Sequence, residues 1–134
     1  MNKKLFITAC LLGALTVILG AFGAHLLKEK LTAAQLVSYN TGISYQFYHV
    51  GAALLCCLFA AQFKVKLFNT AGWLFVVGIV CFSGSIYLLN TRELIGLTSY
   101  KWLGPITPIG GVFFIVGWVL MGVAGLSVSS QHTN

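Results

Sequence analysis

His49 stands about two turns inside an apolar stretch, where an imidazole can relay a proton, bind a metal or hydrogen-bond a neighbouring helix. Tyr45 and Gln46 precede it, and the i, i+1, i+4 spacing puts all three on one broad helical face. A second polar group lies in Phe82-Ser83-Gly84-Ser85-Ile86-Tyr87, inside the apolar stretch 70–89. Ser83 and Tyr87 are four apart and share a face, while Gly84 is placed to admit the backbone of a neighbouring helix. His25 ends the first apolar stretch, and Thr107, Gly110 and Gly111 open the last one. Thr107 before Pro108 has the character of an N-cap, and the helix N-terminus behind it offers free N–H groups to a lipid phosphate or carboxylate.

Much chemistry is excluded by what these residues lack. The only acids are Glu29 and Glu93, with no Asp, so no carboxylate lies within an apolar stretch to run a proton or sodium relay. Nor is there one to orient a histidine base, so Ser83 and Ser85, on different faces, read as packing and hydrogen-bonding groups rather than nucleophiles. Two histidines without a third ligand make a poor zinc site, and no cofactor or nucleotide motif is present. Cys10, Cys56, Cys57 and Cys81 lack zinc spacing and read as small apolar side chains. No catalytic residue and no metal ligand set is expected.

The elements that position these groups follow from composition. The 134 residues are 58% hydrophobic and 7% charged, where a soluble domain carries about 25% charged residues. A membrane-spanning helix takes about 20 residues. The prediction is therefore an all-α, polytopic membrane protein: one four-helix transmembrane bundle, spans 5–27, 43–63, 70–89 and 105–126, with 127–134 a disordered tail. The first apolar stretch is too long for a signal peptide, and Cys10 lacks the polar sequel of a lipoprotein site. A short interfacial helix is expected after the first span. Thr32 and Gln35 form a capping box, and the helix from Ala33 either lies along the interface to Asn40 or runs straight into the second span.

In an up-down-up-down bundle, His25, Tyr45, Gln46, His49, Ser83, Ser85, Tyr87, Asn90, Thr107, Gly110 and Gly111 all fall in the half opposite the N-terminus, the far side. Such residues turn inward and pair. Two readings stay open: buried glue between helices, or a small polar pocket opening to the far side.

The motifs Gly20-Ala21-Phe22-Gly23-Ala24-His25, Tyr45-Gln46-Phe47-Tyr48-His49, Phe82 to Tyr87, and Thr107-Pro108-Ile109-Gly110-Gly111 with Gly117-Trp118 occur in this order over nearly the whole chain. The chain resembles the YgdD/YwdK family of small bacterial inner-membrane proteins. The resemblance implies a multi-pass protein of about four helices and brings no activity, substrate or catalytic residue with it.

Lys3, Lys4, Lys64 and Lys66 on the N-terminal side balance Lys28, Lys30, Arg92 and Lys101 on the far side, so the positive-inside rule ties. The basic start and the short second loop tip the reading to cytoplasmic termini. The net charge of +6 sits beside the apolar stretches, which points to lipid headgroups and not to nucleic acid. The expected function is a non-enzymatic scaffold or accessory protein that binds a lipid, peptide or partner helix through the polar half-bundle, with homo-oligomerisation or a partner membrane protein. The alternative is a histidine-dependent transporter or channel component acting as an oligomer, and a membrane enzyme ranks third.

Overall fold

The computed structural model describes residues 1–129 and is helical from end to end, with no strand among the described residues. Helix α1 is Lys3–Ala24, α2 Ala33–Phe63, α3 Leu67–Thr91 and α4 Leu103–Ser129, and a 3-10 turn, Leu27–Glu29, follows α1 at the interface. All four helices are long and apolar enough to cross a membrane, so the chain is a multi-pass membrane protein.

Each start has a local cause. Asn2 caps α1 by accepting from the Leu5 N–H at 3.2 Å. Thr32 and Gln35 form the expected capping box, with reciprocal bonds of 2.9 and 3.2 Å. From that box α2 continues unbroken to Phe63, so of the two courses open to the helix from Ala33 it takes the one that runs straight on into the second span. Nothing in 33–42 breaks a helix. Gly42 seats the Tyr87 ring, and Ser38 accepts from Asn90, so α3 holds this first part of α2 in place. At ~1.5 Å per residue the 31-residue α2 is ~46 Å long, well beyond the ~30 Å hydrocarbon core. It ends at Lys64 in the left-handed conformation, φ 56°, which reverses the chain in the tight connection to α3.

The start of α4 corrects the sequence reading. The helix begins at Leu103, so Pro108 lies inside it and Thr107 is not its N-cap. Pro105 falls in the first turn, where a missing N–H costs nothing; Pro108 deprives the Gly104 carbonyl of its helical donor. At the other end α4 continues to Ser129, three residues into the stretch expected to be tail; 130–134 lie outside the described residues.

Helices α2 and α3 form the middle of the bundle, α1 packs mainly on α2, and α4 packs on α3. The near half of the core is hydrocarbon, aromatic and sulfur: Ala9, Ala53, Cys56, Phe68, Ala71, Phe75 and Ala124. Glycines set the closest approaches. A Cβ on Gly110 would lie 2.7 Å from the Phe82 Cβ and 2.8 Å from its Cα, so α3 and α4 touch backbone to backbone there. Gly78 and Gly117 receive the rings of Phe114 and Phe75 in the same interface. Gly84, expected to play this part, faces open space, because it lies on the lipid side of α3.

Candidate functional site

The far half of the bundle carries two hydrogen-bonded groups, one on each side of α2. The buried stripe of α2 reads Tyr39, Gly42, Gln46, His49, Ala53, Cys56, an alternating spacing of three and four that makes a continuous helix seam. Gln46 is 1% exposed. Its Nε2 donates to the Leu12 carbonyl of α1 at 2.9 Å, and its Oε1 accepts from the Tyr87 hydroxyl of α3 at 2.7 Å. Thr16 bonds the same Leu12 carbonyl at 2.7 Å. One amide side chain thus ties three helices.

Further bonds lie above and beside it. Tyr39 donates to the Leu19 carbonyl at 2.7 Å, and Ser83 to the Gly42 carbonyl at 2.7 Å. Asn90 Nδ2 donates to Ser38 Oγ at 2.9 Å and to the Ile86 carbonyl at 2.8 Å. The rings of Tyr39 and Tyr87 lie 5.1 Å apart over Gly42.

On the other side, His49 meets α4. Its ring stacks on Phe114, centroids 3.5 Å apart and 7° from parallel. Trp118 Nε1–H donates to His49 Nε2 at 3.1 Å. An indole nitrogen only donates, so Nε2 carries no proton. The proton of the neutral ring is then on Nδ1, where it donates to the Tyr45 carbonyl at 2.6 Å. Both ring nitrogens are engaged, and neither is free for a metal or a substrate. Deeper toward the far side, the Ser85 and Thr107 hydroxyls meet at 2.5 Å and join α3 to α4.

The sequence-derived candidates therefore separate. Gln46, Ser83 and Tyr87 join the α1–α2–α3 group; His49 and Ser85 face α4, where Thr107 meets Ser85. Tyr45, Gln46 and His49 lie within an arc of ~100° on α2, as expected, but the arc serves different neighbours: Gln46 at one edge reaches α1 and α3, and His49 reaches α4. Tyr45 is 40% exposed and stacks on Phe82. Gly110 is a packing residue, whereas Gly111 borders an open cleft. His25 belongs to neither group; it is exposed at the C-cap of α1, in a shallow depression made by its own helix. Tyr39, Trp118 and Phe114 were missed as site residues. The seam spacing back from Gln46 finds Tyr39, but a partner 69 residues away, as Trp118 is to His49, leaves no local signal.

Helices α2 and α4 splay on the outer side of this second group. The cleft between them, about 580 Å³, is walled by Tyr45, Tyr48, His49, Phe114 and Trp118, with Gly111 on its rim. Among the described residues, no three His, Cys, Asp or Glu side chains come together, and all four cysteines are free thiols.

Comparison with known proteins gives one consistent picture. The family model described as "Protein of unknown function (DUF423)" matches residues 19–111. A UPF0382 membrane protein of Staphylococcus aureus (strain bovine RF122) is 42% identical over 125 residues, 90% of this chain and 94% of that protein. A UPF0382 membrane protein of Staphylococcus epidermidis is 42% identical over 127 residues, 92% and 96%. The UPF0382 membrane protein YwdK of Bacillus subtilis is 39% identical over 125 residues, 92% and 97%. No solved structure matches.

Proposed function

This chain belongs to the DUF423 family of membrane proteins, and from its geometry we propose that it is a non-enzymatic membrane scaffold. The observation that carries this reading is the closure of the polar half. The buried polar side chains Thr16, Gln46, His49, Ser83, Ser85 and Asn90 each have a hydrogen-bond partner within the chain. A catalytic centre needs a group poised toward a substrate, and here the histidine is sandwiched and doubly bonded. Transport requires a polar route through the near half, where the core is apolar.

What the scaffold offers to a partner is the splayed α2–α4 cleft. Its aromatic walls supply anchors of the kind that dominate interfaces. A Cβ added at Gly111, Gly122 or Gly125 of α4 would meet no neighbouring group within 4 Å, which leaves room for a second helix to come close. The proposed occupant is a transmembrane helix, from a partner membrane protein or a second copy. The relatives are membrane proteins of bacteria, and the proposed location is the bacterial cytoplasmic membrane, with both termini in the cytoplasm. A photo-crosslinking amino acid replacing Tyr48, which is 61% exposed on the cleft wall, tests this in cells. A protein adduct of discrete mass, lost on Gly111→Phe, is expected; adducts to lipid alone contradict the reading.

A further inference from the structure

On the opposite side of the molecule, α1 and α3 barely touch, and a long cleft opens between them with α2 as its floor. It has two chambers, about 310 Å³ near the far interface and about 200 Å³ deeper in, and Leu19 and Tyr87 line both. The deep chamber reaches Leu12 and Gly84, and the upper one Leu26 and Lys30. From Leu12 to Leu26 is fourteen residues, so the cleft is about 20 Å long at ~1.5 Å per residue. That exceeds the ~15 Å depth of one leaflet's hydrocarbon and brings the upper end to the headgroups.

The walls are chemically hydrocarbon. The polar groups that reach them are spent internally: Tyr39 on the Leu19 carbonyl, Tyr87 on Gln46, Gln46 on the Leu12 carbonyl, and Thr91 on the Tyr87 carbonyl. One charge remains, at the top. Lys30 lines the upper chamber and no acid does; the one ion pair among the described residues joins Arg92 to Glu93, which follow the lining residue Thr91 and neutralise each other without lining the chamber. An apolar slot of leaflet depth with an unpaired ammonium at its headgroup end matches one ligand chemistry. We propose that this cleft holds an acyl chain of an anionic glycerophospholipid from the far leaflet, with the lipid phosphate against Lys30. The site is separate from the α2–α4 cleft and does not depend on the scaffold reading.

Native mass spectrometry of the full chain in detergent, with phosphatidylglycerol and phosphatidylcholine of identical acyl chains, tests it. A single lysine at the headgroup level predicts about a fivefold preference for phosphatidylglycerol. Lys30→Gln removes the preference and Lys30→Arg keeps it. Lys28→Gln, which alters a charge two residues away that does not line the cleft, leaves it intact. Gly84→Leu adds a side chain where there is now open space and lowers adducts of both lipids without loss of melting temperature. Equal binding of the two lipids, equal effects of Lys28→Gln and Lys30→Gln, or unchanged adducts in Gly84→Leu each overturns the proposal.

Discussion

At the scale of single residues, His49 decides how the polar cluster is understood. An imidazole between the Trp118 donor and the Tyr45 acceptor is held in the Nδ1–H tautomer, and the Phe114 ring fixes its plane. Nitrogen-15 NMR of the imidazole should find the neutral ring protonated on Nδ1, and Trp118→Phe should shift the Nε2 resonance but keep that tautomer, because the Tyr45 carbonyl still takes the Nδ1 proton. Polar side-chain bonds between membrane helices contribute ~0.6 kcal/mol on average and rarely above ~1.7. His49→Phe keeps a stacking ring yet leaves the half-exposed Trp118 indole N–H, which faces the apolar cleft, and the Tyr45 carbonyl without their side-chain partner. It should therefore cost about 1–3 kcal/mol in detergent melting. A residue kept for catalysis gives the opposite result, unchanged or higher stability, because active-site groups are often held at a cost to the fold.

At the scale of elements, the helices touch where glycine permits. Gly110→Ala pushes a methyl into the Phe82 backbone, which cannot give way as a side chain can, and should cost about 3 kcal/mol. Gly111→Ala, one residue on and in open space, should stay within ~0.5 kcal/mol. Lys64→Gly should stabilise by up to ~1 kcal/mol, because it relieves a left-handed residue at the end of α2. Thermal melting of the three variants checks the set. The helices themselves were legible from apolar length, and the capping box at Thr32 from four residues. The course of the helix from Ala33 was not, since lying along the interface and running on into the second span stayed equally open until α3 is seen holding Ser38 through Asn90 and Gly42 through Tyr87. Thr107 misled for a related reason. Threonine before proline has the form of a cap, but Leu103 is buried and draws the helix start back by a turn. Which glycine packs and which faces lipid depends on helix rotation, and that is set by neighbours far away in sequence.

At the scale of the whole molecule, the asymmetry between the two halves was legible from the sequence, because alternating helix directions bring distant polar residues to one depth. What the depth argument could not provide was rotation, which divides those residues between two groups and leaves His25 outside both. Four spans place Met1 and the C-terminal end on one side of the membrane, so topology reporters fused at either end should agree. The central claim is that the far half is a closed, hydrogen-bonded interior and not a solvated pocket. The most direct test is Ser83→Cys, a near-isosteric change at a 0% exposed position, in a background free of the four native cysteines, probed with a membrane-impermeant thiol reagent from each side. His25→Cys, at an exposed helix end, serves as the positive control. The closed interior predicts labelling at position 25 and none at position 83 from either side. Labelling at position 83 from the far side, in a protein that melts normally, would contradict it and establish a water-filled site.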